Sequence, residues 1–134
     1  MGFTEPNRIR CAGTAVLWLG EHQTARRYLD EALTAYEHNE PDAYAHIAVT
    51  HIAVTRADLA SAHLHTGDVE AAAEILVPLL ALPPHRRLAG TARRTTDLRT
   101  QLTRPEYRTS PRARDLAEQI EQFRADVTAL SIEE

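Results

Sequence analysis

Two stretches of the chain follow one plan: "GEHQTARRYLDEAL" from Gly20 and "GDVEAAAEILVPLL" from Gly67. Each has a glycine, a small residue five positions on (Ala25, Ala72), a large apolar residue four later (Leu29, Leu76), and Ala32 or Leu79 three beyond. Steps of three and four put such residues on one face of an α-helix. The glycine supplies a left-handed helix end and the small residue lets two backbones approach. The large residues fill the groove between helices. The pattern therefore dictates a helical hairpin made twice.

Apolar spacing, abundant alanine and leucine, and punctuation by Gly and Pro extend this reading to the whole chain. The periodicity predicts six helices, over about 6–19, 22–38, 42–66, 68–82, 84–103 and 111–130, and no strand. The joints are "LGEH", "NEPD", "HTGD", "LPPH" and "RPEYRTSP", with Pro41, Pro84 and Pro111 suited to first-turn positions. At 134 residues the chain is expected to form a single domain, residues 1–134. Ala113, Leu116, Ile120, Phe123, Val127 and Leu130 make one apolar stripe on the last helix, suited to capping the end of a stack.

The paired pattern resembles the tetratricopeptide repeat. Leu59, Ala60 and His63 stand where that repeat has its leucine, small residue and aromatic, and Pro84 where it has its closing proline. In the first copy Ala12, Gly13 and Val16 hold the corresponding positions, and Glu37 replaces the proline. The glycines are 47 positions apart against about 34 in the standard repeat, so the helix beginning at Asp42 must be longer than usual. The repeats cover about 9–38 and 42–84, and a degenerate capping hairpin about 84–130. The whole order, including "VPLLALPPHRR" and "RPEYRTSPRARDLAEQIEQF", is similar to the C-terminal domain of actinobacterial helix-turn-helix (XRE-type) transcriptional regulators. The DNA-binding head of such regulators is expected to be missing here, since no helix-turn-helix precedes Met1. The resemblance implies an all-α, right-handed tetratricopeptide-like stack of three antiparallel hairpins.

The duplicated "HIAVTHIAVT" of residues 46–55 tests the helical reading, because it is rich in β-branched residues. Strand alternation fails: Ile47 and Val49 share one side with His51, while Ile52 and Val54 share the other with Thr50. As a helix, the five-residue shift rotates the second copy by about 140°, so His46 and His51 cannot chelate one ion. The duplication instead makes the helix apolar around most of its circumference, as expected of a central helix buried on two sides. A polar stripe remains: His51, Thr55, Asp58 and His65, with Thr50 and Ser61 at its edge. In tetratricopeptide proteins the first helix of each hairpin lines the ligand groove. The resemblance thus implies that this stripe faces a groove together with Arg10, Thr14 and Trp18. Leu17, Trp18 and Val54 would anchor a ligand, and Arg10, His51, Asp58 and His65 would orient it. The alternative is a solvated face with a few satisfied core polar groups.

Other chemistry finds little support. Seven histidines raise a metal site, but "HLH" at 63–65 points its rings to nearly opposite sides, and H-E-x-x-H and Cys-x-x-Cys are absent. No metal and no cofactor is expected. No hydrolase, Walker or dinucleotide-binding signature occurs. Cys11, the lone cysteine, reads as a packing residue more readily than as a nucleophile, although Arg8 and Arg10 are near. If the chain is an enzyme, His51, Asp58 and His65 are its acid and base groups. Their spacing of seven residues, about 10 Å along a helix, prevents direct contact between them.

The net charge of −4 conceals segregation: residues 19–83 hold ten acids and three arginines, whereas residues 85–114 hold nine arginines and two acids. All fifteen basic residues are arginines, a bias common in high-GC bacteria. Without a recognition helix or interleaved aromatics beyond Tyr107, these arginines are expected to pair with acids or to be solvated, not to bind nucleic acid. No leader or long apolar run is evident, so a cytoplasmic location without a membrane is expected. The expected function is non-catalytic, a sensing or interaction module that recognises a peptide, a protein segment or a small effector. The alternative is a small helical enzyme acting on a metabolite. The uncapped first helix further suggests a homodimer through the N-terminal hairpin or the long central helix.

Overall fold

The computed structural model describes the backbone of residues 5–38, 45–82 and 89–133, and the side chains of residues 7–38, 50–82 and 91–125. The fold is all-α. Its helices are α1 (Glu5–Trp18), α2 (His22–His38), α3 (Ala45–His65), α4 (Val69–Leu80), α5 (Ala89–Gln101) and α6 (Pro111–Glu133), with a 3-10 turn at Pro105–Tyr107 and no strand among the described residues. Pro41 and Pro84, expected to open helices, lie outside the described residues, as do the side chains of His46, Val127 and Leu130.

The first two hairpins turn in the same way. Gly20 and Gly67 have φ of 86° and 84°, a region only glycine enters without strain. The Glu21 N–H donates to the Val16 carbonyl at 3.0 Å and the Gly20 N–H to that of Leu17 at 3.1 Å. Asp68 and Gly67 repeat both bonds to His63 and Leu64, at 2.9 and 3.2 Å. These paired bonds satisfy the last carbonyls of α1 and α3 and reverse the chain at once. Asp68 then caps α4, its carboxylate accepting from the Ala71 N–H at 3.0 Å.

Small residues set the spacing within the hairpins. Ala25 and Ala72 are fully buried. Gly13 lies so close to α2 that a Cβ added there would stand 2.7 Å from Leu29 Cγ and 3.2 Å from Tyr28 Cβ. Leu29 itself has no exposed surface.

Helix α3 is central, packing against α1, α2, α4 and α5. Its Leu59 and Ala62 join Leu17, Leu29 and Leu33 in one apolar cluster. Its Ala53, Ala57, Ala60 and Leu64 join Leu76, Leu79, Leu98, Leu116, Ile120 and Phe123 in a second. A helix feeding two clusters must be apolar on more than one side; from the second "HIAVT" copy Ala53 joins the second cluster and partly buried Ile52 packs against the first. On α6, Ala113, Leu116, Ile120 and Phe123 are buried at steps of three and four. Its start combines Pro111 in the first position with a Ser110 hydroxyl that accepts from the Ala113 N–H at 3.1 Å.

The joint before α6 is pinned to α3 by buried Tyr107, whose hydroxyl donates to the Leu64 carbonyl at 2.5 Å. That carbonyl also accepts from the Gly67 N–H, so removing the hydroxyl does not orphan it. Tyr107→Phe is expected to lower stability by about 1 kcal/mol in urea unfolding. Gly13→Val should cost about 1–3 kcal/mol in the same assay, because the added carbons overlap a buried leucine.

Candidate functional site

The helices that open successive hairpins, α1, α3 and α5, line a groove of about 570 Å³. From α1 and its turn come Leu17, Trp18 and Gly20, and His22 stands at the start of α2. Helix α3 presents Ala57, Asp58, Ser61 and His65; α5 presents Arg93, Arg94, Asp97, Thr100 and Gln101. On both α3 and α5 these residues recur at steps of three and four, so each helix turns one stripe toward the groove.

Asp58 sits at the centre, only 4% exposed. Its Oδ2 accepts from the Thr14 hydroxyl at 2.7 Å, and its Oδ1 accepts from Arg94 Nε at 3.0 Å. One carboxylate therefore binds α1, α3 and α5 together through charge-assisted bonds. Nearby, Gln101 Nε2 donates to the Ser61 hydroxyl at 2.8 Å, while Gln101 Oε1 is buried with no partner among the described residues. Arg93 and Asp97 are exposed one turn apart on α5 and form no ion pair among the described residues. Trp18, 79% exposed, stands at the rim.

His22 and His65 stack face to face, ring centroids 4.0 Å apart and planes within 3°. Burial pushes the His65 pKa below the ordinary histidine value, helped by His22 and Arg104 and opposed by Glu106. His51 is also pushed down, by burial and then by Arg10. His63 is pushed down by burial and Arg26, against Asp68 and Asp30.

Of the residues the sequence pointed to, Leu17, Trp18, Asp58, Ser61 and His65 line the groove, and Thr14 meets it through Asp58. Others face elsewhere. Arg10 donates to Asn7 Oδ1 at 2.9 Å and to Cys11 Sγ at 3.3 Å. The same Asn7 oxygen accepts from Tyr36 at 3.3 Å, making a link between α1 and α2. Thr55 is fully buried and donates to its own helix at the His51 carbonyl. The His51 ring lies 6.0 Å from that of Tyr36, and neither it nor Val54 lines the groove. His51, Asp58 and His65 thus have separate partners and do not assemble into one acid-base group.

The contribution of α5 and the partner of His65 were invisible to single-helix reasoning. Arg94 reaches Asp58 across 36 positions and Gln101 reaches Ser61 across 40, separations that no local periodicity encodes. The i, i+4 spacing of Arg93, Asp97 and Gln101 along α5 is the one local signal. His63 and His65 open onto different depressions, as the two-residue spacing requires. No group of three or more metal-capable side chains forms among the described residues, and no described helix is long and apolar enough to cross a membrane.

Several arginines of the basic quarter are held in ion pairs. Besides Arg94 with Asp58, Arg99 pairs with Glu121 at 3.1 Å, Arg104 with Glu106 at 3.3 Å, and Arg112 with Glu70 at 3.5 Å. No family model, curated protein or solved structure matches the chain.

Replacing Asp58 by leucine removes the carboxylate that accepts from both the Thr14 hydroxyl and Arg94 Nε and should cost about 2–4 kcal/mol, discounted because Arg94 is part-exposed. Asp58→Asn, which keeps an acceptor for one partner, should cost less in the same unfolding assay. The three depressed histidines set a pH dependence. The unfolded chain binds more protons than the folded one just below the ordinary value, so stability is full above about pH 6.5 and falls as pH drops through the lower folded values. The thermal midpoint should follow that fall, and His65→Gln should flatten it.

Proposed function

We propose that the chain is a non-catalytic sensing or interaction module of the transcriptional-regulator type. On this reading it is a right-handed tetratricopeptide-like stack, acts in the cytoplasm, and receives a peptide, a protein segment or a small effector between α1, α3 and α5. The observation that carries the reading is the groove itself. It is concave, about 570 Å³, has the exposed Trp18 at one rim and the exposed Arg93 and Asp97 at the other, and has a polar floor organised by Asp58.

Binding would work by apolar contact on Leu17 and Trp18, with Arg93 and Asp97 selecting a partner that carries both an acceptor and a donor. Aromatic residues suit such rims because a rigid ring gives large contact area at little entropic cost. Nothing in this mechanism calls for a cofactor. The enzymatic alternative gains no support, since both oxygens of Asp58 are engaged by its neighbours and His51 lies outside the groove. Direct nucleic-acid binding gains none either, because many of the α5 and α6 arginines are already paired with acids.

Trp18 is the only tryptophan and therefore a built-in reporter. The test is to titrate the protein, at fixed protein concentration, with pools from a random peptide library and with fractionated metabolites of its source cell, following Trp18 emission. A saturable change is expected, weakened about tenfold or more by Arg93→Glu or Asp97→Arg, equivalent to about 1.4 kcal/mol. Failure of every pool and fraction to change the emission, or binding indifferent to both substitutions, would contradict the reading.

A further inference from the structure

The fixed charges that line the groove cancel. Asp58 is paired with Arg94, and Arg93 stands one turn from Asp97 on α5. Helix α1 adds no charge to the lining, only Leu17 and Trp18. What remains to give the groove a sign is a pair of histidines, His22 at the start of α2 and His65 at the end of α3. Their rings lie face to face, centroids 4.0 Å apart and planes within 3°. Among the described residues, no ring nitrogen of either is hydrogen-bonded within the chain. Arg104 and Glu106, which act on His65 from the joint before α6, pair with each other at 3.3 Å.

We propose that the His22–His65 pair is the anion-binding end of the groove, taking a carboxylate or phosphate group of the ligand together with a proton. This rests on the groove reading and adds the ligand's charge to it. Rings stacked this closely have their edges side by side, so one anion beside the stack is within reach of an N–H from each. Such bonds are charge-assisted once a ring is protonated. Two imidazolium rings at this distance repel each other, and a bound anion offsets that repulsion. Ligand and proton therefore bind cooperatively.

The direction of the pH effect follows. Without a ligand, burial, His22 and Arg104 hold His65 below the ordinary histidine value, against Glu106, so it is neutral above about pH 6.5. A bound anion favours the charged ring and moves that value back up. Affinity for an anion accordingly rises as the pH falls, whereas an uncharged ligand of the same shape is indifferent to pH.

The test follows Trp18 emission while the full chain is titrated with naphthoate, naphthalenesulfonate and uncharged naphthamide, at about pH 7.5 and about pH 5.5, where both acids stay largely ionised. At least one of the two anions should bind about tenfold tighter at the lower pH, and naphthamide equally at both. Preference for naphthoate marks a carboxylate ligand, and preference for the sulfonate a phosphate-like one. Histidine Cε1–H resonances, assigned with His22→Gln and His65→Gln, give a second readout. The His65 midpoint should rise by about one pH unit on saturation with the tighter anion. The double variant of His22→Gln and His65→Gln should lose the pH dependence of affinity, and His38→Gln, outside the groove lining, should keep it. Equal affinity for naphthoate, the sulfonate and naphthamide at both pH values, a pH dependence that survives in the double variant, or a His65 midpoint left in place would each overturn the anion site while leaving the groove reading intact. Binding of none of the three would overturn it too, and the groove reading would then stand on the peptide and metabolite pools alone.

Discussion

The Asp58 carboxylate is the interaction on which the groove depends. It sits on the central helix, almost wholly removed from water, and accepts from Thr14 of α1 and Arg94 of α5. A buried carboxylate is tolerable only when its oxygens are satisfied. That requirement fixes where the two flanking helices must lie. Apolar packing alone would hold α3 against its neighbours but leave their rotation loosely defined, since leucine and alanine contacts are non-directional. The hydrogen bonds supply the missing direction and turn the α3 and α5 stripes toward one concave surface.

Around this clasp the rest of the molecule divides the work. The twin glycine turns and the close approach at Gly13 build the first two hairpins without calling on any groove residue except Leu17 and Gly20. Tyr107 anchors the last connection to the end of α3, close to where His65 meets His22. The groove is therefore bordered by rigid elements on the α3 side. Its rims carry the residues with the fewest internal commitments: Trp18, Arg93 and Asp97.

The fold was legible because helix ends and helix faces are local properties. Gly20 and Gly67 declared the turns, and the steps of three and four declared which residues point inward, so Ala25 and Ala72, or Leu29 and Leu76, are buried alike. The candidate site was only partly legible. Reading α3 alone gave one polar stripe, yet its members have different fates: Asp58 and His65 reach the groove, whereas Thr55 is buried and satisfied by its own helix. A polar residue on a helix states that it needs a partner but not which one. Arg10 illustrates the same limit, since among the described residues it donates to Asn7 and Cys11 of its own helix. The α5 wall, the Arg94 contact and the histidine stack depend on three-dimensional proximity between distant segments, and nothing in helical periodicity announces them.

The account stands or falls on whether Asp58 couples α1 to α5. A double-mutant cycle on Thr14→Val and Arg94→Met, followed by urea unfolding, measures this directly, because the two side chains share the carboxylate. If the clasp organises the groove, the double variant is less stable than the sum of the single losses by at least about 0.5 kcal/mol, since the second change strips a carboxylate already short of partners. Strict additivity would mean that the two contacts act independently, and that the groove owes its shape to packing and not to Asp58.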